Sequence, residues 1–267
     1  MKPGEKFETD AVAYLNRRYS YGGKIIFLGG DTSDSTKSDI EVVISGRTAF
    51  CMEAKDAAAQ SGQFVLFPNE QTRQFEFSLR NQSAPNEMTG IIIDYMNKNF
   101  ERYNDAGTRG KSIDIDNSVF YKWIIDYYEN KNVKFFITKK SSFIIAPIHK
   151  FPYYFDVYAT YRIKKSGSSS PSKKDIENIK RMIKNLYPTV EFTLIENKLF
   201  ADIKNPLSTQ HFSRGKYTYI LSERNAHIYE VRRLSNTNNM NVIFSINVKQ
   251  EQVTEDLLLF KKDLGLG

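Results

Sequence analysis

The chain has 267 residues, of which 40% are hydrophobic and 26% charged, with a formal net charge of +7; that is enough chain for two or three packed modules. A single cysteine, Cys51, excludes a disulfide framework and a thiolate-rich metal centre, and His149, His211 and His227 share no zinc-ligand spacing. No apolar run approaches the ~18 residues of a membrane span, and Met1–Glu5 lacks the apolar stretch of a secretory leader, so the sequence reads as soluble and cytoplasmic.

Charge is uneven along the chain. Residues 1–110 carry 13 Lys+Arg against 15 Asp+Glu, whereas residues 111–267 carry 25 against 16. A basic second part suits a polyanion, and a near-neutral first part keeps carboxylates for chemistry or metal binding.

Gly4 to Tyr19 reads as an amphipathic helix, its apolar face supplied by Phe7, Val12, Tyr14 and Leu15. Lys24–Leu28 is a short strand closed by Gly29-Gly30, and residues 31–38 form a polar loop. Ile40–Ile44 and Thr48–Lys55 flank Ser45-Gly46-Arg47, the pattern of a β-hairpin. Gln63–Phe67 is a strand that ends at Pro68, followed by a helix over Ile91–Phe100 and a soft segment, Asn104–Gly110. Beyond it come a helix over Ser118–Tyr128 and strands at Lys134–Thr138, Phe143–Ile148 and Tyr153–Ile163. A basic Ser/Gly-rich loop, Lys164–Lys174, leads to a helix over Asp175–Tyr187. The tail alternates as strands do at Glu191–Ile195, Lys198–Ile203, Tyr217–Ser222, His227–Arg232 and Asn241–Val248, before a closing helix, Gln252–Leu264. The class is α+β with mixed sheets, divided into residues 1–112 for catalysis, 113–188 for sequence recognition and 189–267 as a β-rich accessory DNA-binding part.

A hairpin folded about Gly46 opposes positions that sum to about 92, which sets Asp39 across from Glu53 at ~5 Å. Glu53 and Lys55 are two apart and project from one face of the sheet. Two carboxylates, an ammonium and the carbonyl of Ala54 then converge. Such oxygens suit a hard cation such as Mg²⁺, which activates water and polarises a phosphodiester, with Lys55 holding that water or the developing charge. The other reading is a solvated cross-strand ion pair; the apolar neighbours Phe50, Cys51, Met52 and Ala54 argue for burial, where charges must be paired or used. A calcium loop over Asp31, Ser33, Ser35, Lys37 and Asp39 fails, because Thr36 and Val42 stand where Gly and Glu are required.

Ser38-Asp39 with Glu53-Ala54-Lys55 resembles the motif of the PD-(D/E)XK nucleases, with Ser in place of the usual Pro. The strings Ser33–Ile40, Gly62–Leu66, Val133–Thr138, Tyr161–Ser168 and Asn241–Ile246 extend the likeness along most of the chain, to a type II restriction endonuclease of the small GCGC and CCGG cutters; residues 69–112 and 188–225 resemble it less. The resemblance implies a PD-(D/E)XK core and Mg²⁺-dependent hydrolysis of duplex DNA at the palindrome GCGC by a monomer, with a methyltransferase of the same specificity as functional partner. Asp39 and Glu53, with the Ala54 carbonyl, would bind metal, and Lys55 would activate the water. Glu8 would assist from the first helix and Gln63 would position a phosphate or water; as residues alone these are equally a solvated helix acid and a polar strand-edge side chain. In Tyr161–Ser168, the donors Arg162, Lys164 and Lys165 suit guanine O6 and N7, Ser166 and Ser168 can donate or accept, and Gly167 permits close backbone approach. The same segment also suits a phosphate clamp without base readout. Lys173, Lys174, Arg214 and Lys216 either grip the DNA backbone or solvate the surface. A structure-directed nuclease of the same superfamily and a non-enzymatic DNA-binding protein are the alternative functions.

Overall fold

The computed structural model describes residues 3–30 and 37–266. The chain forms two compact units: one of residues 3–163 with the chain from 240 onward, the other of residues 164–239.

The first unit opens with α1 (Pro3–Tyr19), which starts at a proline whose fixed φ suits a first helical turn. Its buried stripe is Phe7, Ala11, Leu15 and Tyr19, spaced by four, with Val12 and Tyr14 only partly covered. The strands β1 (Ile25–Gly29), β2 (Ile40–Ile44) and β3 (Arg47–Ala54) follow as an antiparallel meander. The β2–β3 turn sets Ser45 at φ 52° and Gly46 at φ 79°, the left-handed pair that matches hairpin twist. Ile40 opposes Met52, Glu41 Cys51 and Val42 Phe50, so the register places Asp39 across from Glu53 as expected; a shift of one residue after Val42 is taken up next to the turn.

Next come β4 (Ala58–Asn69), β5 (Gln74–Phe77), α2 (Glu87–Lys98), α3 (Phe100–Asn104), β6 (Lys111–Ser112) and α4 (Asn117–Glu129). They are followed by β7 (Val133–Lys139), β8 (Phe143–Pro147), a 3-10 turn, α5 (Phe151–Tyr154) and β9 (Phe155–Lys165). The first sheet runs β1-β2-β3-β7-β8, with β3 and β7 parallel. That pairing crosses the border expected near residue 112, because the chain between a pair of parallel strands must cross over, here through α4. β7 is buried on both faces: Phe135 and Ile137 pack with α1, whereas Val133 and Phe136 pack with α4 and α5.

A second sheet runs β5-β4-β16-β9-β6, where β16 is Asn238–Val248. β4 does not stop at Pro68; it runs through it to Asn69. Pro68 lies past Val65, the last β4 residue paired with β16, so its missing N–H costs no ladder bond there. Gly62, at φ 99°, lies against Trp123 so closely that a Cβ would stand 2.6 Å from the indole.

The second unit holds β10 (Ser168–Ser169), α6 (Ile176–Leu186), β11 (Glu191–Ile195), β12 (Lys198–Asp202), β13 (His211–Arg214), β14 (Tyr217–Asn225) and β15 (Ile228–Leu234). Its sheet runs β11-β12-β15-β14-β13, with β10 against β15, over a core of its own that includes Ile179, Ile183, Leu199, Tyr219 and Val231. The chain closes in the first unit with α7 (Thr254–Asp263), whose Phe260 packs with α1 and β3. Instead of three consecutive parts, a continuous module is set between two stretches of the other unit. The separation could not be read from composition, because β16 returns to pair with β4.

Candidate active site

β3 carries Glu53 and Ala54 to its end, and Lys55 follows at once. Asp39 precedes β2, held by the bond from the Gly30 N–H to its carbonyl at 2.7 Å. Gly30 is needed there, because a Cβ would collide with the Ser38 carbonyl. On its other side β3 is fixed to β7, with the Lys55 N–H donating to the Ile137 carbonyl at 3.0 Å.

These strands bring the three expected side chains together. Asp39 Oδ2 accepts from the Ala54 N–H at 3.0 Å and from Lys55 Nζ at 2.9 Å. The same Nζ stands 2.5 Å from Glu53 Oε1 and 3.3 Å from the Ala54 carbonyl. One ammonium thus gathers the three oxygens expected to bind metal. Glu53 is 4% exposed, and its Oε2 is buried without a hydrogen-bond partner among the described residues. An enclosed orphan acceptor is costly unless a cation or donor meets it.

Burial, with the negative charge of Asp39 behind it, pushes the Glu53 carboxyl up to about 7 against the pull of Lys55. Burial opposes the charge on Lys55, but Tyr128 and the carboxylates of Glu53 and Asp39 outweigh it and hold the amine well above the usual lysine range. The oxygens present fit a hard divalent cation: two carboxylates and a carbonyl leave the rest of the sphere to water and phosphate, as Mg²⁺ prefers. Among the described residues no three His, Cys, Asp or Glu side chains cluster as a metal site, so Glu8 does not join Asp39 and Glu53 as a third carboxylate.

Two further residues bear on the site. Tyr128 is buried, accepts from Ser61 Oγ at 3.4 Å, and has its phenol raised first by burial and then by Glu53. Lys131 lies over the rings of Tyr127 and Tyr128, at 4.3 and 5.6 Å from their centroids, and its charge favours the ionised form of Glu53. Tyr128 lies at the end of the helix expected over Ser118–Tyr128, but nothing local linked it to Glu53.

Elsewhere the expected residues divide. Glu8 is half-buried on α1. Gln63 is exposed on β4, its Oε1 accepting from Gln60 at 3.0 Å. Tyr161 is a correction: its side chain is 1% exposed and packs edge-on against Phe75 and Tyr103, so it belongs to the core and presents nothing to a base. The alternation of β9 turns it inward. Arg162 is half-buried. In the second unit Lys164, Lys165, Ser166, Gly167, Lys173, Lys174 and Lys216 are exposed. Ser168 is engaged by Arg232, whose Nε donates to its Oγ and Nη2 to its carbonyl, each at 2.7 Å. Arg214 pairs with Asp175. The loop after β15 was missed: the Ser166 N–H donates to the Thr237 carbonyl at 3.1 Å and the Ser235 N–H to the Gly167 carbonyl at 2.8 Å, so Ser235–Thr237 backs the basic loop. The residues of the rejected calcium loop from Asp31 to Thr36 lie outside the described residues.

No protein-family model and no curated protein matches the chain. Among solved structures, HhaI endonuclease in complex with DNA matches with a TM-score of 0.80 and 38% identity, over 98% of this chain and 99% of that one. With identity of that order along the whole length of both proteins, this chain belongs to the family of restriction endonucleases that HhaI endonuclease represents.

Proposed function

We propose that the protein is a type II restriction endonuclease of PD-(D/E)XK type that hydrolyses duplex DNA at GCGC with Mg²⁺. The observation that carries this reading is the meeting of Asp39 Oδ2, Glu53 Oε1 and the Ala54 carbonyl on one cationic nitrogen, beside a Glu53 Oε2 that has no hydrogen-bond partner among the described residues. The solved relative was captured with DNA, which supports duplex DNA as the substrate.

Asp39, Glu53 and the Ala54 carbonyl would hold Mg²⁺, which when bound supplies Lewis-acid polarisation of the scissile phosphate. Lys55, tied to both carboxylates, orients the attacking water and offsets charge developing on the phosphoryl oxygens. The burial of Glu53 keeps bulk water from competing for the same oxygens. Glu8 and Gln63 would assist from further out. Arg162, Lys164 and Lys165, with Ser166 and Gly167, would read guanine edges. Lys173, Lys174, Arg214 and Lys216 would hold phosphates. The enzyme would act as a monomer in the cytoplasm beside a methyltransferase that protects the same site.

Digestion of plasmid DNA with Mg²⁺, followed by sequencing of the ends, tests this reading. Double-strand ends confined to GCGC are expected. Ends that follow DNA shape and ignore GCGC would select a structure-directed nuclease, and binding without cutting would select a non-enzymatic DNA-binding protein.

A further inference from the structure

The PD-(D/E)XK motif that the site resembles places proline before its first carboxylate, and this chain has Ser38. The Ser38 hydroxyl donates to the Lys131 carbonyl at 3.1 Å, across 93 residues of sequence. Cys51 lies on the opposing strand, β3. The neighbouring residue of the same turn repeats the clasp, because the Cys51 N–H donates to the Asn132 carbonyl at 2.9 Å. Asn132 is held in the left-handed region at φ 58°, which turns that short link between α4 and β7 back toward the hairpin. The turn therefore grips both strands of the hairpin, one at Ser38 just before Asp39 and the other at Cys51, two residues before Glu53.

We propose that Ser38 is a positioning residue: its bond to Lys131 fixes the backbone before Asp39 and so sets the spacing of the two carboxylates. A proline restricts the same backbone by closing a ring on it; a serine has no such ring and gains its restraint from a tertiary hydrogen bond. The inference rests on the metal-site reading above and adds to it the device that holds the site in register.

The test compares the full-length parent with Ser38→Ala and Ser38→Thr. Two readouts are taken: steady-state cutting of GCGC DNA, and Mn²⁺ binding by titration calorimetry without DNA. Ser38→Ala is expected to lower kcat by about tenfold or more with KM and melting temperature near those of the parent, and to weaken Mn²⁺ binding. Ser38→Thr, which keeps the hydroxyl, is expected to restore both. Parental kcat and Mn²⁺ affinity in Ser38→Ala overturn the proposal, as does a loss that Ser38→Thr does not recover or that tracks melting temperature. A parent that binds Mn²⁺ but cuts no GCGC refutes the GCGC reading while the affinity comparison still decides on Ser38; a parent that binds no Mn²⁺ overturns both.

Discussion

A carboxylate enclosed by protein holds its proton unless a cation takes the proton's place, and Glu53 is in that position, its carboxyl raised to about 7 first by burial and then by Asp39. Proton and metal therefore compete for the same oxygens. The Mg²⁺ concentration for half-maximal cutting is expected to rise as pH falls below about 7, by up to about tenfold per unit, and a requirement that stays flat from pH 8 to pH 6 would count against Glu53 as a ligand. Without metal the linkage to folding has its own sign. Because the folded carboxyl lies above the ordinary value of 4.5, its contribution to stability is full below that value and is lost as pH rises through about 7. Glu53→Gln should flatten this part of the melting-temperature profile. Lys55 bridges both acids, so Lys55→Ala is expected to slow cutting by about 10²–10³-fold while DNA binding in Ca²⁺ persists; cutting at the parental rate would remove Lys55 from the chemistry.

The hairpin was legible because two β-prone runs bracket Ser45-Gly46, and its register followed from symmetry about that turn, as Ile40 opposite Met52 shows. The same period-two rule put Glu53 and Lys55 on one face, so the local half of the site could be written from sequence. Tyr128 and Lys131 could not, because they reach the site through the parallel β3–β7 pairing, a tertiary choice made far along the chain. β5 and β13 were missed for a different reason: four residues each, they carry too little alternation to stand out. Tyr161 went wrong because an aromatic beside basic residues suits both a core strand and a stacking platform, and only the Phe75 and Tyr103 contacts separate the two. At this scale Gly62 gives a sharp test. Its φ of 99°, with the indole 2.6 Å from where a methyl group would stand, means that Gly62→Ala should cost about 1–3 kcal/mol, measured by urea unfolding; an unchanged midpoint would refute the close β4–α4 contact.

Across the whole molecule, positive charge is concentrated beyond residue 110, and the second unit exposes Lys164, Lys165, Lys173, Lys174 and Lys216. If these residues meet phosphates, each alanine substitution should weaken binding alike on all sequences and reduce the slope of log affinity against log salt by about one. If Lys164 or Lys165 reads guanine, its loss should fall on GCGC DNA alone, by about 1–3 kcal/mol. Binding titrations at several salt concentrations on GCGC and scrambled duplexes separate the two roles.

The central claim is that Asp39, Glu53 and Lys55 form one centre that needs a divalent cation to cut DNA. Its most direct measurement is single-turnover cleavage of a GCGC duplex by the parent and Asp39→Asn, at equal saturation and with Mg²⁺ varied. The expected result is cation-dependent cutting of both strands by the parent, with cutting abolished in Asp39→Asn and binding kept or tightened as one negative charge facing phosphate is removed. Cutting by Asp39→Asn at the parental rate, or cutting by the parent without any divalent cation, would contradict it.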